Sequence, residues 1–538
     1  MKYILVFVFL INCIAANAQD SISSTIHPKL LVGIVVDQMR YDYLFRYWDK
    51  LSEGGFKRMM REGYLFKNAN YSHIPTYTAP GHASIYAGCP PSQHGIVANE
   101  WYDESFKVKR YCVADKRFKS IGTKTGEGAM SPKNMLVTTI GDELKLSNNN
   151  HSKVISIALK DRSAVLPGGH KADGAYWISK QGKWITSSYY MKILPSWVES
   201  MNIRRPGKFY LGSKWEPIFP LMEYEESYSD DNDYEETHLW EDSPVFPHDY
   251  SGVTEEIGYS FVKYTPMGNT MTKDFAQKAI IKERLGQDKY TDLLAVSFSP
   301  IDYIGHFYGP HSVEMEDAII QLDGDLASFF TFIEKYVGKE VLYFLTADHG
   351  AVNVPRYLSD QKVPSGYFDS KACVNLINSQ FKSTYGIDSI VENYSNSQLK
   401  IAQNMIQKHR LNPDYIQDEI IQIIKGFSGV KEVLVIKDLN NGAHSNMAQK
   451  VINGYFEGRS GDLYIILKPG WIHDQVRGTT HGSGYSYDTH VPLIFMGAGV
   501  KNGSSNQMVN ITDIAPTIST LINVSFPNGT TGKPLRFE

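Results

Sequence analysis

The chain lacks an excess of either charge: 54 Lys and Arg face 58 Asp and Glu, a formal net of −4. No global positive field draws it to nucleic acid or to anionic membranes, so no nucleic-acid binding is expected. Any phosphate it handles must be gathered locally, by metals or by a few cations. Long apolar runs are lacking too, apart from one at the N-terminus. There, Lys2 precedes an apolar stretch over 3–16, Asn12 interrupts it, and Ala16-Asn17-Ala18 has the small-x-small pattern of a signal peptidase site. The stretch is too short for a comfortable membrane span. A cleaved signal peptide over 1–18 is expected, with a periplasmic or secreted product and no membrane anchor after cleavage. Cysteine is scarce, at four. Cys13 leaves with the signal, and the remaining Cys89, Cys112 and Cys373 permit one disulfide and one free thiol in an oxidising compartment. No internal repeat is present.

What the chain does have is the composition of an ordinary globular protein, 42% hydrophobic and 21% charged, with ample material for a core. Short β-rich apolar runs recur: LLVGIVV (30–36), VISIAL (154–159), LLAVSF (293–298), VLYFLT (341–346), LYIIL (463–467) and VPLIFM (491–496). Continuous apolar runs of this length suit strands covered on both faces, as in parallel sheets. Residues 312–337 read as an amphipathic helix, capped by Ser312, with Met315, Ile319, Leu322, Leu326, Phe329 and Ile333 on one stripe and Gly338 at its end. Strand, helix, strand with short connections predicts a doubly wound, mostly parallel α/β sheet with helices on both faces. The catalytic domain is expected over 25–538. Two stretches break the rhythm, at about 165–270 and 353–460, and are expected as inserted lobes. The acidic segment 224–236 within the first reads as a solvated loop.

In such sheets ligands bind beyond the carboxyl ends of the strands. Asp37 follows the first run, Lys160-Asp161-Arg162 the second, Asp302 and His306 the 293–298 run, and Asp348-His349-Gly350 the fourth. A single Asp at a strand end is most simply a cap or turn former. Several such positions, all of ligand or cationic type, argue for one polar rim. Asp302 and His306 have i, i+4 spacing, which puts them on one face of a helical turn. His481, in THGS (480–483), completes a set of six protein ligands suited to zinc. The set divides into Asp302, His306 and His481 on one side, and Asp37, Asp348 and His349 on the other, the latter completed by a nucleophile oxygen. Two metals so held can grip the attacking and leaving oxygens of an in-line displacement. The segment PTYTAPGHAS (75–84) leads into a helix, whose N-terminus favours phosphate. Thr78 and Thr76 both offer a hydroxyl there, and locally either reads as a cap. Asn99, ending HGIVAN (94–99), is a turn former or a donor to a phosphoryl oxygen. His73, His82, His94, His311 and His490 read as loop or supporting residues.

Together, Asp37, PTYTAPGH, HGIVAN, Asp302-x-x-x-His306, Ala347-Asp348-His349-Gly350, Thr480-His481-Gly482 and the C-terminal ITDIAPTISTLI (511–522) resemble the alkaline phosphatase superfamily over most of residues 28–530. In its nucleotide pyrophosphatase/phosphodiesterase branch the nucleophile is the second Thr of P-T-x-T, which selects Thr78. Lys160-x-Arg162 resembles the pair of the phosphate-irrepressible, PafA-like alkaline phosphatases, which are monoesterases. A monoester presents a dianionic phosphoryl group, which extra cations stabilise, Arg bidentately. The resemblance implies two Zn2+ per chain and no third, magnesium site, whose electrostatic role falls to Lys160. It further implies Thr78 as metal ligand and nucleophile, and Asn99, Lys160 and Arg162 on the phosphoryl oxygens. The expected reaction is hydrolysis of small phosphate monoesters through a phosphothreonine, by a monomer. A phosphodiesterase or nucleotide pyrophosphatase on the same metals is the alternative. A sulfatase is disfavoured, because Cys89-Pro90-Pro91-Ser92-Gln93 lacks the x-Pro-x-Arg context of formylglycine formation. A non-catalytic phosphate- or glycan-binding protein is disfavoured by the complete ligand set.

Overall fold

The computed structural model describes residues 27–212, 214–440 and 445–538. The expected signal peptide, with Cys13, lies outside the described residues. An eleven-stranded sheet organises the molecule. At its centre, Val341–Thr346, Leu30–Val36, Asp292–Phe298, Val154–Ala158 and Gly174–Ile178 run parallel in that order. Leu30–Val36, Asp292–Phe298, Val154–Ala158 and Val341–Thr346 are buried along their whole length, as unbroken apolar runs demand when both faces are covered. Register decides where they end. Val36 pairs with Phe298, Val35 with Thr346, and Ala158 with Ser297. The residues that follow therefore emerge along one rim.

Helices cover the sheet in two packed sets. Met267–Lys282 lies against Val313–Tyr336, while Thr78–Ala87 lies against Asp161–Gly168 and Ile514–Leu521. Ser312 caps the long helix by accepting from the Met315 N–H, and its apolar stripe from Met315 to Ile333 is buried.

Several expectations change. The run 491–496 becomes the strand Leu493–Gly497, which is antiparallel to Val341–Thr346. The run 463–467 leaves the central sheet altogether. It lies in a separate four-stranded sheet with Val391–Ser395, Gln398–Ile401 and Val430–Val435. Leu463, Ile465 and Leu467 face that lobe's own core, while Tyr464 and Ile466 pack with Ile74 and Val451. Burial on both faces thus gives an antiparallel strand the same apolar run as a parallel one. The stretch 165–270 is not all insertion: Gly174–Ile178 and Trp184–Ser187 form a hairpin that extends the central sheet, turning through Gly182 at φ +68. The acidic segment is not a solvated loop along its length. Glu235 is fully buried, and Tyr224 donates to Asp317 Oδ1 at 2.6 Å. Cys89, Cys112 and Cys373 are all buried free thiols, so the permitted disulfide is absent among the described residues. Cys373 sits in the lobe's core and Cys112 in a different one. Among the described residues no helix is long and apolar enough to cross a membrane.

Candidate active site

The rim gathers the six expected ligands into two groups. In each group, Asp37–Asp348–His349 and Asp302–His306–His481, the ligand atoms lie within 4.8 Å of one another. His349 Nε2 is 3.6 Å from both Asp37 Oδ1 and Asp348 Oδ2. His306 Nε2 and His481 Nε2 are 3.2 and 3.5 Å from Asp302 Oδ1. The helix Pro300–Tyr308 supplies the i, i+4 pair. The groups adjoin, because the rings of His349 and His481 stack with centroids 3.5 Å apart.

The other nitrogen of each imidazole settles its tautomer. His306 Nδ1 meets the Thr479 carbonyl at 2.8 Å, His349 Nδ1 the Gly350 carbonyl at 3.0 Å, and His481 Nδ1 the Thr76 carbonyl at 2.7 Å. A carbonyl only accepts, so each Nδ1 carries the proton and each Nε2 turns a lone pair toward carboxylate oxygen. Burial holds His349 neutral, pushing it down to about 3. Asp37 Oδ1, Asp348 Oδ2 and His349 Nε2 are buried without a hydrogen-bond partner. Lone pairs facing lone pairs in a dry site call for a cation between them.

Lys160 lies between the groups and is 3% exposed. Its Nζ is 2.7 Å from Asp37 Oδ2 and 2.5 Å from Asp302 Oδ2. Burial alone would discharge it, but the two carboxylates hold its pKa above the ordinary lysine value. Asp37 nonetheless sits well above the carboxylate range, because burial and the Asp348 charge outweigh the ammonium. Asp302 sits well below: burial opposes its charge, yet the Lys160 ammonium prevails. Arg162 is half-buried, its Nε has no partner, and its Nη1 donates to Tyr111 Oη at 3.2 Å. Tyr111 in turn donates to Asp161.

Thr78 opens the helix Thr78–Ala87 and is 1% exposed. This N-terminus packs directly on the ligand groups: a Cβ on Gly81 would lie 2.4 Å from the Asp348 carbonyl oxygen, so only glycine permits the approach. Asn99 accepts from the Ala79 N–H at 2.9 Å through Oδ1, which occupies its acceptor and leaves its amide N–H groups to donate elsewhere. Thr76 is different. Its hydroxyl donates to the Ser483 carbonyl at 2.9 Å.

Three residues hold this arrangement, of which sequence reading passed over Gln38 and Tyr111 and gave His82 no specific role. Gln38 donates its backbone N–H to Asp348 Oδ1 at 3.1 Å and its side-chain amide to Asp302 Oδ1 at 2.8 Å. His82, read as a supporting residue, is fully buried one turn below Thr78, with Nδ1 2.9 Å from the Thr78 carbonyl oxygen and 3.3 Å from Asp348 Oδ2. Tyr111 holds Arg162. Gln38 and Tyr111 have no spacing signal, since each acts through a contact between distant segments; His82 has i, i+4 spacing to Thr78, but its approach to Asp348 is equally long-range. His73, His94, His311 and His490 are not in either group.

The model of the type I phosphodiesterase / nucleotide pyrophosphatase family matches residues 31–490. A Myroides odoratus protein named calcium-transporting ATPase is 43% identical over 95% of this chain and 94% of its own length. The alkaline phosphatase PhoV of Synechococcus elongatus is 40% identical, covering 99% of this chain and 98% of its own. The alkaline phosphatase PafA of Elizabethkingia meningoseptica is also 40% identical, over 94% of each chain. The crystal structure of wild-type PafA superposes with a TM-score of 0.92, over 95% of this chain and 98% of that one. Murine ectonucleotide pyrophosphatase/phosphodiesterase 5 shares the fold at 13% identity, with a TM-score of 0.52. With family match, full-length identity and superposition in agreement, this chain belongs to the type I phosphodiesterase / nucleotide pyrophosphatase family of the alkaline phosphatase superfamily, among its PafA-like members.

Proposed function

We propose that this protein hydrolyses phosphate monoesters to an alcohol and inorganic phosphate, with Thr78 as nucleophile and two Zn2+ ions as cofactors. One observation carries the reading. Three Nδ1-protonated histidines aim Nε2 lone pairs at three buried aspartates in two adjoining groups. Mixed imidazole and carboxylate donors suit zinc. Asp302, His306 and His481 would hold one ion, and Asp37, Asp348, His349 and the Thr78 oxygen the other. Such ions supply positive charge to the attacking and departing oxygens of an in-line displacement.

The chain's own residues do the rest. Thr78 Oγ1 forms a bond to phosphorus as the bond to the alkoxyl oxygen breaks, and the alcohol leaves. Water then cleaves the phosphothreonine, returning the hydroxyl and releasing phosphate. The free N–H groups of the helix that Thr78 opens favour the anion. Asn99 donates its amide N–H to one phosphoryl oxygen. Lys160 and Arg162 add positive charge against a dianion, which favours monoesters over diesters. Thr76 is disfavoured because its hydroxyl is already engaged. The working unit in this reading is one exported chain, and the stretches expected at about 165–270, apart from its sheet hairpin, and 353–460 are read as lobes over the rim.

The test compares kcat/KM for an aryl phosphate monoester and its methyl diester in wild type, Thr78→Ala and Lys160→Ala/Arg162→Ala, with zinc content measured in each. The reading expects a monoester preference that shrinks in the double variant. Equal or faster diester hydrolysis by wild type would make it a phosphodiesterase. Full activity of Thr78→Ala removes the nucleophile assignment.

A further inference from the structure

Gln38 departs from what its backbone prefers. It follows strand Leu30–Val36 and Asp37, and it adopts φ +63, a left-handed conformation that costs a non-glycine residue. It is fully buried. The strained turn accomplishes two things. It directs the backbone N–H to Asp348 Oδ1 at 3.1 Å, leaving Asp348 Oδ2 to face His349 Nε2 and His82 Nδ1. It also sends the side chain the other way, where Nε2 donates to Asp302 Oδ1 at 2.8 Å and to the Asp302 carbonyl at 3.3 Å. Asp348 belongs to one ligand group and Asp302 to the other. One residue therefore grips a carboxylate of each.

A second residue is shaped to this grip. A Cβ on Gly305 would stand 1.8 Å from Gln38 Oε1. Gly305 lies in the helix Pro300–Tyr308, between Asp302 and His306. An ordinary side chain at 305 would either expel the Gln38 amide or push away the helix that carries two ligands.

We propose that Gln38 is a positioning residue that ties the two ligand groups into one unit, with Gly305 as the space that admits it. This rests on the metal reading above. Asp302 Oδ1 accepts the amide N–H and keeps a second lone pair for a cation, while Lys160 occupies Oδ2. With the rotation of both carboxylates fixed before any ion arrives, the sites are preorganised. Loss of such a supporting hydrogen bond at a metal ligand costs about 10–100-fold in metal affinity.

The experiment measures zinc retained per chain against a graded chelator for wild type, Gln38→Met, Gln38→Ala, Gly305→Ala and Gln38→Ala/Gly305→Ala. Gln38→Met keeps the volume but has no donor. Each single variant is expected to bind zinc about 10–100-fold more weakly. Monoester kcat/KM should return toward the wild-type value at saturating zinc, because Gln38 acts only through the ligands. The double variant is expected to bind zinc as Gln38→Ala does, since the added methyl then meets only Met315 Cε at 3.1 Å, the flexible end of a side chain. Wild-type zinc affinity in both Gln38→Met and Gly305→Ala overturns the proposal. So do losses in the double variant that simply multiply, and so does activity that saturating zinc fails to restore. A wild type that binds no zinc at all instead defeats the metal reading, and this inference with it; two ions bound equally by wild type and variants defeats this inference alone.

Discussion

Replacing Lys160 by alanine should separate catalysis from metal binding. The ammonium stands 2.7 Å from Asp37 Oδ2 and 2.5 Å from Asp302 Oδ2. Near a protein surface one such pair is worth about 4 kcal/mol at ~4 Å, and here burial of the ammonium offsets part of two pairs. Breaking a buried pair by deleting one partner costs about 3–5 kcal/mol, because the other charges remain unpaired. The metal-free variant should lose stability of that order. Zinc should behave the opposite way: without Lys160 the aspartates present one more uncompensated negative charge, so zinc affinity holds or rises. Loading with zinc should therefore raise the thermal midpoint more in Lys160→Ala than in wild type. Activity should fall regardless, since losing one charge-stabilising donor costs about 100–1,000-fold in kcat. That loss should be smaller for a diester, which presents less charge. The assays are thermal unfolding with and without zinc, zinc content, and kcat/KM on the ester pair. A Lys160→Ala protein that sheds zinc in step with its activity would falsify the argument, because the lysine would then be supporting the ligands. Equal losses on monoester and diester would remove its role in selectivity.

Other outcomes follow from the same geometry. Thr76→Val should retain most of the wild-type kcat, with a stability loss of about 1 kcal/mol for the hydrogen bond to Ser483; loss of activity comparable to Thr78→Ala would reopen the choice of nucleophile. Tyr111→Phe frees the Arg162 guanidinium, so monoester kcat/KM should fall with little change in zinc content, as steady-state kinetics would show. Burial opposes protonation of His248, but Glu241 and Glu314 raise it to about 9. A raised histidine stabilises fully below its unfolded value of about 6.5, and that contribution is lost as pH climbs through about 9. Stability should thus decline by about 3 kcal/mol over this window from His248, and His248→Gln should flatten that part of the profile in denaturant titrations at stepped pH. Phe275 is fully buried and stacks on Trp184 with centroids 4.0 Å apart; Phe275→Ala should cost about 3–5 kcal/mol by the same titration.

Local chemistry reached far along this chain. Unbroken apolar runs announced four of the five central parallel strands, because a strand covered on both faces has no polar side to show. Ser312, the stripe from Met315 to Ile333 and Gly338 announced the long helix, because capping and periodicity are properties of neighbours. The residues expected as ligands stood out as chemistry placed just past strand ends, and the family pattern arranged them. What sequence could not supply was anything decided by contact between distant segments. Leu463–Leu467 is as apolar as a central strand, and only the cores on its two sides assign it to the lobe. Trp177 and Trp184 fall in the stretch expected as an inserted lobe, and only their hairpin's pairing assigns them to the sheet. Three buried thiols could be counted but not seen to remain apart. At the rim, the types Asp, His and Lys were legible, whereas the tautomers were not, since each awaits a carbonyl from another segment. The same holds for the lysine that opened the matter of selectivity: its charge was plain in the sequence, but that it rests on Asp37 and Asp302 at once was decided only when three strands ended at one level.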